Sequence, residues 1–252
     1  MNILSTKIIE FIGLPRTGKT TTATRLCSYL KSQGYSCYLA QNHKNNPIKD
    51  KLHPEYNFWA ANQFMHDYLV ANKQGYDFVI ADRGLLDSSI WTKLFSDKLG
   101  KPAFFDLYLT KFAEGMDHKN YVKTFYFKAK IPVILERDRQ TKSEKGLNRI
   151  MNAQILTEYK AIYKDLKKQS VFPNNLIEID TSKISLNDTF KIITTHLDVR
   201  SRKALLPMSR KMLLPIQKKR SIISNNRYKN IKRTIRPQRK INSTANRTSI
   251  LK

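Results

Sequence analysis

A chain of 252 residues with 40% hydrophobic content and a formal net charge of +26 can bury one sizeable core or two small ones. It has no apolar run of the ~18 residues a membrane-spanning helix needs. It also has only two cysteines, Cys27 and Cys37, and its first residues, Met1-Asn2-Ile3-Leu4-Ser5, lack the pattern of a secretory leader. Membrane-spanning and disulfide-stapled classes are set aside, a cytoplasmic location is expected, and both cysteines are expected as small core residues. The charge is uneven: residues 1–199 carry 29 Lys+Arg against 20 Asp+Glu, whereas residues 200–252 carry 17 Lys+Arg and no acid.

In chain order, Lys7–Ile12 is an apolar run ending at Gly13, which suits a buried strand. Residues 19–33 place Ala23, Leu26, Cys27 and Leu30 at helical spacing, and Gly34 follows as a stop. Ser36–Ala40 reads as a second strand, 54–73 as a helix opened by Pro54, and Phe78–Ala81 as a third strand closed by Asp82-Arg83-Gly84. Helical stretches are expected over 87–96 and 103–116, a fourth strand over Val122–Phe127, and a helix over Pro132–Asp138 leading into a polar segment, Arg139–Asn148. A helix over 150–168, a fifth strand over Leu176–Ile179 and a helix over 185–197 complete the alternation. Strands alternating with helices imply a five-stranded parallel sheet with helices on both faces. One α/β domain over residues 1–198 accommodates all of it, followed by a basic tail over 199–252.

Gly13-Leu14-Pro15-Arg16-Thr17-Gly18-Lys19-Thr20 satisfies G-x-x-x-x-G-K-[ST] between a predicted strand and a predicted helix, the P-loop context. Gly13 through Thr21 are therefore candidate nucleotide-binding residues. The loop's N–H groups and the helix N-terminus favour phosphate, with Lys19 reaching the β/γ-phosphates and the Thr20 hydroxyl on Mg²⁺. The alternative, a glycine-rich turn that binds nothing, fits this context poorly.

Asp82 and Arg83 close a buried strand of a parallel sheet, where carboxyl ends form the ligand crevice. Asp82 can hold Mg²⁺ or accept the proton of an attacking hydroxyl, and Arg83 can clamp an acceptor phosphate or steady the transferring group. A structural ion pair is the competing reading. Further on, Arg137, Arg139, Lys142, Lys145 and Arg149 flank a loop-like segment that suits a basic lid over bound triphosphate. Arg137 is the catalytic candidate of this group, Arg139 and Arg149 are candidate nucleotide contacts, and Lys142 and Lys145 read as solvated surface.

With these elements in this order, the chain resembles the thymidylate kinase and deoxynucleoside kinase group of P-loop kinases over about residues 5–197. Lys7–Thr21 is similar to that group's strand and P-loop, and Arg16, three residues before Lys19, matches a P-loop arginine of some thymidylate kinases. Asp82-Arg83 matches its Asp-Arg or Glu-Arg pair, and Leu135-Glu136-Arg137 resembles the helix leading into the lid. Departures are Pro15, where an acid accompanies that arginine, and Ala40-Gln41-Asn42-His43, where Arg-Glu-Pro is expected. The resemblance implies ATP and Mg²⁺ as cofactors, phosphoryl transfer to a nucleoside or nucleoside monophosphate, and a homodimer. Arg16 and Lys19 would stabilise the γ-phosphoryl group, Thr20 and Asp82 would organise Mg²⁺, and Arg83 would position the acceptor. Aromatics and amides over Tyr56–Gln63 read first as core, with Asn62 and Gln63 as candidates for a base.

Residues 201–216 repeat an octad, Ser-Arg-Lys-Ala-Leu-Leu-Pro-Met then Ser-Arg-Lys-Met-Leu-Leu-Pro-Ile, and further basic clusters follow. Without acids and with few large apolar residues the tail is expected to be disordered. A solvated tail without a dedicated partner, non-specific nucleic-acid contact and an anionic surface compete as readings of it. Two other functions stand beside the small-molecule kinase: a polynucleotide 5′-hydroxyl kinase and an ATP-binding regulatory protein with little chemistry.

Overall fold

The computed structural model describes residues 6–41, 46–99, 121–141, 150–172, 174–197, 199 and 201–202. The expected helix over 103–116, Lys142, Lys145, Arg149 and the octad repeat and basic tail beyond Arg202 lie outside the described residues. Five strands form one all-parallel sheet: β1 (Lys7–Gly13), β2 (Cys37–Ala40), β3 (Phe78–Asp82), β4 (Tyr121–Lys128) and β5 (Leu176–Asp180). The order across the sheet is β2-β3-β1-β4-β5, so the strand that ends in the P-loop lies at the centre with β3 and β4 beside it. The helices are α1 (Lys19–Ser32), α2 (Pro54–Lys73), α3 (Leu85–Leu99), α4 (Ile131–Gln140), α5 (Ala153–Lys168) and α6 (Leu186–Leu197).

Successive side chains of a strand point to opposite faces, and β1 uses both for core. Ile8 and Ile12 join a cluster with residues of α2, α3 and α5, including Phe64, Trp91 and Tyr159. Ile9 and Phe11 join a second cluster with Leu26 of α1 and Ile193 of α6. This two-sided burial is why the run reads as continuously apolar. Cys27 and Cys37 are free thiols buried in the second cluster, as expected. No helix among the described residues is long and apolar enough to cross a membrane.

Two helix starts differ from the spacing for a physical reason. The expected helix over 87–96 begins at Leu85, because the Glu10 Oε1 accepts the Gly84 and Asp87 N–H groups at 3.0 and 3.1 Å and caps its first turn. The helix expected from residue 150 begins at Ala153, where Asn152 accepts the Gln154 N–H at 2.8 Å. Beyond α6, the contacts of Arg202 are described. The Arg202 guanidinium meets Asp77 at 2.7 Å and covers the Tyr35 ring, and the Arg202 backbone N–H donates to the Gln33 carbonyl at 2.9 Å.

Candidate active site

The P-loop is built where β1 runs out. Gly13 is paired with Phe127 of β4, and the Leu14 N–H donates to the Phe127 carbonyl at 3.1 Å. Gly13 (φ 119), Arg16 (φ 56) and Gly18 (φ 89) turn the chain through left-handed conformations before α1 starts. No side chain caps α1 and no acid lies in its first turn, so its N-terminal partial charge is left for an anion. Around this turn lies a cavity of about 420 Å³ lined by Arg16, Thr17, Gly18, Lys19, Thr20, Thr21, Arg83, Arg137, Gln140 and Thr141. Of the candidate loop residues, Gly13 and Leu14 form its foundation, and Pro15 faces a different cavity.

Lys19 is 4% exposed and folds back on the loop, its ammonium donating to the carbonyls of Gly13 at 2.7 Å and Leu14. Burial, then the nearby Arg83 charge, lowers its pKa from 10.5 to about 7, while Asp87 and Asp82 act the other way. Asp82 is fully buried, and neither carboxylate oxygen has a hydrogen-bond partner. A carboxylate desolvated without compensation is costly unless water or a cation meets it. That fits a group whose counter-charge arrives with the ligand. Among the described residues no cluster of three or more metal-ligating side chains exists. A magnesium ion bound mainly by phosphates and water, with one carboxylate and the Thr20 hydroxyl, is compatible with this donor set.

Arg137 is placed between the P-loop and β5, donating to the Arg16 carbonyl at 3.3 Å and the Thr181 carbonyl at 2.6 Å. Arg16 itself pairs with Asp138 at 2.7 Å. Arg139 turns away to Glu136 at 3.0 Å and is absent from the cavity's described lining. Arg83, also left-handed with φ 68, has its N–H tied to the Phe11 carbonyl at 3.1 Å, which aims the turn after β3 at the loop.

A second cavity of about 240 Å³ is lined by Pro15, Arg16, Thr20, Lys51, Tyr56, Asn57, Arg83, Trp91, Phe95 and Ile150. The two cavities share Arg16, Thr20 and Arg83. Tyr56 and Asn57 of α2 line this cavity, and Asn62 and Gln63 do not. Asn62 instead donates to the Phe58 carbonyl at 2.9 Å, and Gln63 to Asp67 at 3.0 Å, both within α2. Lys51 carried no motif, and its place beside this cavity is visible only in the fold.

Sequence reasoning also missed the carboxylates behind the site. Asp87 accepts the Gly13 N–H and the Tyr159 hydroxyl, each at 2.8 Å, and lies 3.9 Å from the Arg83 guanidinium. Glu10 is fully buried beside it, and burial raises its pKa from 4.5 to about 8 despite the backbone N–H groups it accepts. The folded state thus keeps a proton that the unfolded chain releases near 4.5. The stability this gives is full below pH 4.5 and is lost as pH rises through about 8. Glu10→Gln should remove this pH dependence, so its melting temperature gains on the wild type between pH 5 and 8. A constant offset across that range, in thermal melts followed by circular dichroism, would show that Glu10 is ionised throughout.

Compared with known proteins, the chain matches no family model and no curated protein. Solved structures do match. Deoxyadenosine kinase from M. mycoides with bound dATP superposes with a TM-score of 0.56 at 16% identity, over 77% of this chain and 100% of that one. The same enzyme with bound dCTP gives 0.53 at 16% identity, over 75% and 98%. Thymidylate kinase from Candida albicans gives 0.53 at 14% identity, over 76% and 90%. The fold is therefore that of the P-loop nucleoside and nucleotide kinases.

Proposed function

We propose that the chain is an ATP-dependent phosphotransferase acting on a nucleoside or nucleoside monophosphate. The observation that carries this reading is the wall of Arg16, Thr20 and Arg83 common to the two cavities. Transfer requires donor phosphate and acceptor to be in contact while the rest of each molecule is held apart. One cavity surrounds the P-loop and suits the triphosphate. The other has aromatic sides and suits the acceptor.

In this reading the loop N–H groups and Lys19 hold the β- and γ-phosphates, and Arg16 and Arg83 neutralise charge where the phosphoryl group crosses. Arg137 acts as a positioning residue, since its contacts fix the Arg16 backbone against β5. Mg²⁺ would be held by Thr20 and Asp82 and would neutralise phosphate charge when bound. The basic tail is left outside this chemistry, with polyanion contact as its proposed role.

The test is a γ-labelled ATP screen against nucleosides, nucleoside monophosphates and 5′-hydroxyl oligonucleotides. Label on a small acceptor is the expected result. Label on oligonucleotides alone would replace the reading with a polynucleotide kinase. Tight ATP binding with no acceptor labelled would replace it with a regulatory nucleotide-binding protein.

A further inference from the structure

The only two cysteines of the chain meet, and nothing in the proposed transfer uses them. Cys27 lies on α1, and Cys37 is the first residue of β2. The turn between them is fixed by backbone hydrogen bonds. The Gly34 N–H donates to the Lys31 carbonyl and the Tyr35 N–H to the Leu30 carbonyl, each at 3.1 Å. The chain thus doubles back, and α1 packs on the strand that follows it. The Cys27 thiol donates to the Cys37 carbonyl at 3.7 Å, and the Cys37 thiol to the Tyr38 carbonyl at 3.9 Å. The two thiols also reach each other. Donation from the Cys37 thiol, helped by Lys31 one turn along α1, lowers the Cys27 pKa from 9.0 to about 7 against the effect of burial. The same bond, then burial, pushes the Cys37 thiol up. One sulfur is favoured as the thiolate and its neighbour as the thiol, the arrangement that makes one of them a nucleophile. Both are buried, yet their cover is thin, since β2 is an edge strand and Ser28, Lys31 and Ser36 are exposed. Such cover admits a small neutral oxidant more readily than a bulky disulfide.

We propose that Cys27 and Cys37 are a redox modification site, closing a reversible disulfide between α1 and β2 when a small hydroperoxide reaches them, with Cys27 as the attacking sulfur. The site stands apart from the phosphotransferase reading. In the first step the Cys27 thiolate bonds to one peroxide oxygen, the O–O bond breaks, and hydroxide leaves. Cys27 is then a sulfenic acid, oxidised by the two electrons that the peroxide has gained. In the second step the Cys37 sulfur bonds to the Cys27 sulfur and the S–O bond breaks. The departing hydroxide takes the Cys37 proton and leaves as water, and the first hydroxide takes up the proton that Cys27 released. Two thiols and one hydrogen peroxide become one disulfide and two waters. A small dithiol reverses the change by exchange, becoming a disulfide itself. The oxidised chain has the P-loop helix tied covalently to the edge strand.

The test treats folded full-length protein with hydrogen peroxide, removes the excess, and then counts free thiols in denaturant and measures the intact mass. Both thiols should disappear together, and the mass should fall by that of two hydrogen atoms. Peptide mapping without reduction should join the segments that hold Cys27 and Cys37, and dithiothreitol should restore both thiols. Thiols that stay free, oxygen added without the cross-link, or a disulfide formed only between chains would each overturn the proposal. The wild-type protein alone decides these outcomes. The order of attack is read from two variants, each trapped with dimedone during oxidation. In Cys37→Ser the remaining Cys27 should be labelled about tenfold or more faster than Cys37 is in Cys27→Ser, as its greater thiolate character requires. Equal rates, or faster labelling of Cys37, would overturn the assignment of Cys27 as the attacking sulfur.

Discussion

Lys19→Ala should reduce phosphoryl transfer by about 10²–10³-fold or more, the scale of losing one preorganised charge at a developing anion, with the fold intact. In the ligand-free protein the ammonium rests on the Gly13 and Leu14 carbonyls, inside the loop that phosphates would occupy. Its lowered pKa, about 7, means that much of the population is neutral at pH 8. A triphosphate supplies the charge that burial withholds, so binding above pH 7 should be accompanied by proton uptake. Calorimetry of Mg·ATP binding in two buffers of different ionisation enthalpy measures that proton directly. The uptake should vanish in Lys19→Ala, along with transfer. Near-wild-type transfer by the variant, shown to be folded by circular dichroism, would remove the P-loop assignment.

Gly13→Ala should be the most destabilising single methyl on the described surface of the site. A Cβ there would be driven into the Phe127 carbonyl, and the backbone is in a left-handed conformation at φ 119. Neither strand can give way easily. Gly13 and Phe127 are register partners at the centre of the sheet, and the Gly13 N–H is committed to Asp87. A loss of about 4 kcal/mol or more is expected, which for a domain of this size is roughly 10 °C or more in Tm. Gly75→Ala is the control. It shares the positive φ, at 72°, but meets no atom within 4 Å, so only conformational strain of about 1 kcal/mol applies. Similar melting temperatures for the two variants would mean that the close approach of β1 to β4 is not what limits residue 13.

The P-loop was legible because its chemistry is local: eight consecutive residues bend the chain and present the lysine. Arg83 was placed by a related argument, since it follows the carboxyl end of a buried strand, and it lines both cavities, whereas Asp82 is sealed and is among the described lining of neither. The second cavity was not legible, because it gathers Arg16, Lys51, Arg83 and Ile150 from four separate stretches that only the fold brings together. Glu10 escaped because one acid in Ile8-Ile9-Glu10-Phe11-Ile12 looks like a minor break in an apolar run. Its partners lie 74 and 77 residues away. Asn62 and Gln63 were candidates on amide chemistry alone, in a stretch read first as core, and an amide on a helix surface readily bonds its own helix. Element types were recovered throughout the described chain, and the ends shifted where a tertiary contact such as the Glu10 cap set the boundary.

The two arginines common to both cavities occupy backbone geometry that suits glycine, at φ 56 for Arg16 and φ 68 for Arg83. A side chain held this way costs about 1 kcal/mol or more. Glycine at either position would relax the chain and at the same time strip charge from the mouth of the site. Durability and usefulness therefore pull in opposite directions at these two residues. A breeding scheme that rewarded heat tolerance alone would tend to erase them early.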